Sequence, residues 1–139
     1  MRRAPSISAP LAVYALAWLP MIAIGIANGV LREVVFAGRV AELRAHQLST
    51  VTAVVLLGAY MSLVFRHRPP DSARQALAVG LLWLVLTVGF EFLFGHYVAG
   101  HGWARLLDDY DVVAGRVWLA VPALLAIAPY LAFRWRTRP

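Results

Sequence analysis

The chain has 139 residues, of which 61% are hydrophobic, a mean hydropathy of +0.70 and a formal charge of +6 at neutral pH. All thirteen basic residues are arginine and cysteine is absent, which excludes disulfides, thiolate metal sites and cysteine nucleophiles. The apolar runs leave no length for a separate soluble domain, and arginines flanking such runs mark membrane boundaries rather than a nucleic-acid footprint.

Arg2 and Arg3 precede the first apolar run, residues 11–31. It is longer than the roughly 7–15 residues of a signal-peptide core, and no small-x-small cleavage site leads into a polar mature start. It reads as a retained first span. Near its end Asn28 and Arg32 share a face, with Gly25 and Gly29 beside them allowing close helix approach. The next stretch mixes Arg32, Glu33, Arg39, Glu42 and Arg44 with Val35, Val40 and Leu43 at helical spacing, which predicts a short amphipathic helix at the interface. A second span is expected over residues 47–65, opening with His46, Ser49, Thr50 and Ala53 on one face. The connection from Arg66 to Arg74 is stiffened by Pro69 and Pro70, and Ser72 or Asp71 is placed to cap the third helix.

The third span, residues 75–95, carries one charge, Glu91, with Thr87 a turn before it. Beyond it, Trp103, Leu106, Leu107 and Tyr110 again have helical spacing and predict a second interfacial helix. Asp108, Asp109 and Asp111 are expected to cap the entry to span four or to pair with Arg105 and Arg116. The last span is expected over residues 117–133. Ala37-Gly38-Arg39-Val40 recurs as Ala114-Gly115-Arg116-Val117, but at different places relative to the spans, so it reads as chance. The whole is an all-α, single-domain, four-span membrane bundle with short amphipathic helices on one side.

Charge sets the orientation. The amino terminus, the loop between spans two and three, and the carboxyl terminus hold Arg2, Arg3, Arg66, Arg68, Arg74, Arg134, Arg136 and Arg138 against one acid, Asp71. The other two loops hold Arg32, Arg39, Arg44, Arg105 and Arg116 against Glu33, Glu42, Asp108, Asp109 and Asp111. The arginine excess places the first group in the cytoplasm, with both termini inside. Trp103 and Trp118 suit the outer interface; Tyr60, Tyr130 and Trp135 suit the inner one.

Asn28 and Glu91 then lie at matching depth in the outer leaflet. A carboxylate there costs on the order of 2.5–3.5 kcal/mol on insertion scales, so it should face the bundle and find a partner. The expected cluster is Asn28, Arg32, Glu33, His46, Thr50, Glu91, His96 and Arg116, with Asp109 and Asp111 beside it. Glu91 is expected within reach of Asn28, Arg32, His46 or Arg116, which would lock register or serve a ligand. His46, Glu91 and His96 could supply a two-histidine, one-carboxylate metal set. Glu91 and His96 stand about 140° apart around a helix, so that set needs a break at Gly95. The chain lacks His-Glu-x-x-His, Gly-x-Ser-x-Gly and Walker motifs, and the 108–111 acids do not form an EF-hand loop. No cofactor is legible.

Four segments carry a resemblance: 28–33, 45–50, 89–98, and 109–111 through 115–118. Together they are similar to a group of small bacterial four-span membrane proteins of unknown activity, and the likeness covers most of the chain. It implies a bacterial inner-membrane protein and no reaction. Residues 39–60 also resemble the second span of the four-helix MAPEG enzymes. Ser49 and Thr50 stand where that family has its Asn and Glu, so its glutathione chemistry does not transfer.

Three functions follow as expectations. The first is a non-catalytic accessory or assembly subunit holding a protein partner or a second copy of itself. The second is binding or transport of a small solute, lipid or metal in an outward-facing pocket. The third is a membrane enzyme using Glu91 with His46 or His96 as acid and base. A closed, fully paired cluster favours the first; an open cavity with unpaired polar groups favours the others.

Overall fold

The computed structural model describes residues 8–138, which are helical with no β-strand. Arg2 and Arg3, read above as boundary anchors, lie outside the described residues. Helix α1 runs Ser8–Leu31 and continues through a π-helical turn, Arg32–Phe36. Helix α2 is Glu42–His67, and α3 is Ala73–Leu93 followed by a second π-helical turn, Phe94–Val98. A short α4, Trp103–Asp108, and a run of turns lead to α5, Ala120–Arg136.

Three helices are long and apolar enough to cross a membrane: Leu11–Phe36, Glu42–His67 and Ala73–Val98, each 26 residues. They are longer than the apolar runs because their charged ends stay helical. The first amphipathic segment is therefore not a separate helix. Its residues are divided between the π turn after α1 and the first turn of α2. The second survives as α4. The fourth apolar run also differs: Val117 to Leu119 lie outside the helix, and α5 has 17 residues. In each π turn the last amide reaches back five residues, from Ala37 to the Arg32 carbonyl (2.8 Å) and from Ala99 to that of Phe94 (2.9 Å). The repeated Ala-Gly-Arg-Val has a local meaning after all. Gly38 and Gly115 both adopt positive φ, 77° and 88°, a backbone region open to glycine at little cost.

Ser72 caps α3, accepting from the Gln75 amide at 3.0 Å, while Gln75 Oε1 accepts from the Asp71 amide at 2.7 Å. This is a near relative of the reciprocal capping box. The core fills the half of the bundle nearest this loop. Trp83 is fully buried, stacks on Phe65 at 5.6 Å, and donates from Nε1 to the Tyr14 carbonyl at 2.9 Å. Tyr14 in turn donates to the Arg68 carbonyl (2.6 Å), and Tyr60 to the Ala17 carbonyl (2.6 Å). Aromatic hydroxyls and indoles thus tie α1 to its neighbours through backbone oxygens, as polar tips in an apolar interior must.

Helices α3 and α5 approach closely at Gly80. A Cβ built there would lie 2.1 Å from the Ala126 carbonyl oxygen, which is backbone and cannot swing aside. Gly80→Ala should destabilise the protein by about 1–3 kcal/mol through overpacking. Gly89→Ala, where a Cβ meets nothing within 4 Å, should be neutral or gain up to about 1 kcal/mol of helix propensity. Thermal unfolding of the two variants in detergent checks the contrast.

Candidate functional site

The end of the bundle away from the Arg66–Arg74 loop holds the polar residues, in two groups rather than one. In the first, Asn28 is buried on α1 and donates to the Ser49 carbonyl (3.0 Å) and to Ser49 Oγ (2.9 Å). Its Oδ1 accepts from Thr52 Oγ1 at 2.5 Å. The amide is a seam between α1 and α2, with neither Glu91 nor Arg32 among its partners. Thr50 is buried beside it but donates to the His46 carbonyl one turn back (3.0 Å), a local bond that keeps its hydroxyl from the cluster.

The second group surrounds Glu91. The carboxylate faces inward, as its cost in apolar surroundings demands, but its partners differ from those expected. Trp118 Nε1 donates to Oε1 at 2.9 Å and the Tyr110 hydroxyl donates to Oε2. Both donors come from the segment that crosses the bundle end between α4 and α5. Trp118 thus turns its indole onto a carboxylate. Arg32 pairs with its neighbour Glu33 at 3.4 Å, largely in the open. The Tyr110 hydroxyl is held protonated far above the usual tyrosine range. Burial is the main cause, followed by the charge of Glu91, the hydrogen bond to it, and Asp109.

Asp109 and Arg116 close the rim. Arg116 Nη2 lies 3.8 Å from Glu42 Oε1, and Nη1 lies 4.0 Å from Asp109 Oδ1. The same aspartate oxygen is 4.0 Å from His46 Nε2. That nitrogen is buried and has no hydrogen-bond partner. The His46 ring sits 6.0 Å from the Trp118 ring. Gln47 fixes the crossing segment to α2 by donating from Nε2 to the Gly115 carbonyl at 2.9 Å. Asp111 is exposed and accepts from the Ala114 amide (3.2 Å), which caps a turn rather than lining a site.

His96 goes elsewhere. Its ring stacks on Trp103 at 3.8 Å, and Nδ1 lies 2.8 Å from the His101 carbonyl, so that nitrogen carries the proton. Among the described residues no three His, Cys, Asp or Glu side chains are placed to hold a metal ion. The set His46, Glu91 and His96 is not assembled, because Trp103 holds the His96 ring outside the wall that contains the other two.

That wall bounds a cavity of about 520 Å³ between the halves of α1 and α3 farther from the Arg66–Arg74 loop. Its body is apolar, with Met21, Ile22, Phe90 and Leu125 among the lining side chains. Its polar end is formed by Arg32, Glu33, His46, Glu91, Asp109 and Tyr110. Trp18 forms part of the wall and donates from Nε1 to Thr87 Oγ1 at 2.9 Å. Sequence reasoning missed Tyr110 and Trp118 as partners of Glu91. The available signal was that both are aromatic donors flanking the expected start of the last span. Comparison with protein-family models, with curated proteins and with solved structures finds no match for this chain.

Glutamine at position 91 can still accept from Trp118 and can donate to the Tyr110 oxygen, whereas leucine leaves both donors unpaired. Glu91→Leu should therefore cost more stability than Glu91→Gln, by about 1–3 kcal/mol for a stranded buried donor. Tryptophan-fluorescence melts in detergent distinguish the two. Equal losses would show that the carboxylate is not held by these donors.

Proposed function

We propose that the protein is a four-span bundle of a bacterial inner membrane, with both termini cytoplasmic. We further propose that it binds a small amphiphile between the outer halves of α1 and α3. Three helices of membrane-spanning length support the placement. Helix α5, with 17 residues, is at the lower end of the spanning range and packs along α3 at Gly80. The segregation of arginines supports the sidedness.

One observation carries the binding reading: the buried, unpartnered His46 Nε2 in the wall of a cavity that is apolar along its length and polar at one end. Buried polar atoms are rarely left unpaired, so an orphan of this kind calls for a ligand atom or a water. Mixed lining of this sort suits a molecule with an apolar body and a hydrogen-bonding head. Glu91 has both oxygens occupied and serves best as a strut. His96 lies off the wall, which leaves an acid and base pairing with Glu91 unsupported.

A second reading, the non-catalytic accessory subunit, is favoured by the exposed apolar residues on the outer end. Tyr97, Val98, Leu107 and Val113 are 60% exposed or more, a surface that suits a protein partner or a second copy.

A brominated single-chain fatty acid should quench Trp18 and Trp118 saturably in detergent micelles. Gly29→Phe should abolish the saturable component, since a side chain there enters open space at the cavity. His46→Leu should weaken it by about tenfold, for the loss of a partner to the head group. Quenching that rises linearly and ignores both substitutions would overturn the binding reading. The topology has its own test, made simple by the absence of cysteine. A single cysteine at position 108 should react with an impermeant thiol reagent from outside, and one at position 68 only after the membrane is opened.

A further inference from the structure

A second groove lies at the opposite end of the bundle, between α2 and α5, with a volume of about 740 Å³. Gly58, Met61 and Phe65 on α2 and Leu124 and Ala128 on α5 give it apolar walls. It ends in two guanidiniums, Arg66 in the last turn of α2 and Arg136 in the last turn of α5, with Trp135 beside them. Among the described residues neither arginine forms an ion pair. The sequence reading gave them only an anchoring role. The fold brings them to the rim of one apolar slot.

We propose that this groove is a binding site for an anionic phospholipid of the leaflet on that side, with one acyl chain along the slot and the phosphate bridged by Arg66 and Arg136. The proposal rests on the membrane placement argued above. Charge complementarity selects the head group. Arg66 and Arg136 line the groove and no acid does, so a net negative head is favoured over one carrying its own ammonium group. Guanidinium pairs hold phosphate oxygens through directed, charge-assisted hydrogen bonds. The carbonyl ends of α2 and α5 oppose an anion there, and two full positive charges outweigh those partial ones. The slot supplies what surface arginines alone lack, a matched length of apolar wall. Gly58 contributes to it, since a Cβ at that position would meet nothing within 4 Å.

Native mass spectrometry of the full chain tests this, using micelles doped with equal amounts of phosphatidylglycerol and phosphatidylcholine of identical acyl chains. Wild type should retain phosphatidylglycerol in preference. Arg66→Gln with Arg136→Gln should cut that retention by roughly thirtyfold, from about 1 kcal/mol per arginine. Arg134→Gln with Arg138→Gln removes the same charge outside the groove and should leave retention close to wild type. Gly58→Leu alters no charge but fills the slot, and should also cut retention; it keeps the test decisive if the arginine pair fails to fold. Equal retention of the two lipids, equal loss in both arginine pairs, indifference to Gly58→Leu, or displacement of the lipid by millimolar inorganic phosphate alone would each overturn the proposal. Retention of neither lipid would overturn it as well, and would count against the membrane placement too.

Discussion

A carboxylate at position 91 sits among apolar helices, and the arrangement of the bundle end away from the Arg66–Arg74 loop follows from its need for donors. Unpaired, it would carry a desolvation cost of several kcal/mol. Tyr110 and Trp118 meet that need from one continuous segment, so the segment is drawn across the bundle instead of standing free. Gln47 anchors the same segment on α2 through the Gly115 carbonyl, at a backbone geometry that glycine accepts readily. Asp109 and Arg116 follow from this placement, because they flank the residues that are tied down. Loss of the carboxylate would release the cap as a unit rather than remove a single contact.

The two halves of the bundle are built differently. In the half near the Arg66–Arg74 loop, Trp83, Val79 and Met61 are almost completely buried, and close approach at Gly80 brings α3 and α5 together. In the other half α1 and α3 separate, and the space between them stays open as a cavity. Asn28 holds α1 to α2 there through Ser49 and Thr52, so the opening is confined to the α1–α3 side. Core residues such as Met21 and Leu125 form part of that cavity's wall. Such a wall can leave a ring nitrogen such as His46 Nε2 without a partner and keep its shape.

The π turns at the C-terminal ends of α1 and α3 belong to the same arrangement. Each widens the helix just before the chain must reverse, and each is followed by a positive-φ glycine, Gly38 or Gly100. Turns of this kind recur at functional sites because they re-aim side chains that an α-helix would point elsewhere. Here Arg32 and Glu33 lie in one π turn and Gly95 in the other, all on the cavity wall.

Hydropathy alone determined the all-helical class and the approximate position of three long apolar helices. The cost of burying a charge determined that Glu91 would turn inward. Those readings rest on length and composition, which act one residue at a time. Helix ends were less legible, because charged flanks such as Glu42 to Arg44 remain helical when neighbouring turns supply their hydrogen bonds. The pairing of the polar residues was beyond the sequence. Asn28, His46, Thr50, Glu91 and His96 all lie near one end, and depth does not specify azimuth. Packing rotated Asn28 toward Ser49, stacked His96 on Trp103, and brought Tyr110 and Trp118 to Glu91. The cavity and the paired arginines Arg66 and Arg136 arise in the same way, since a space between helices exists only once their separation and rotation are set.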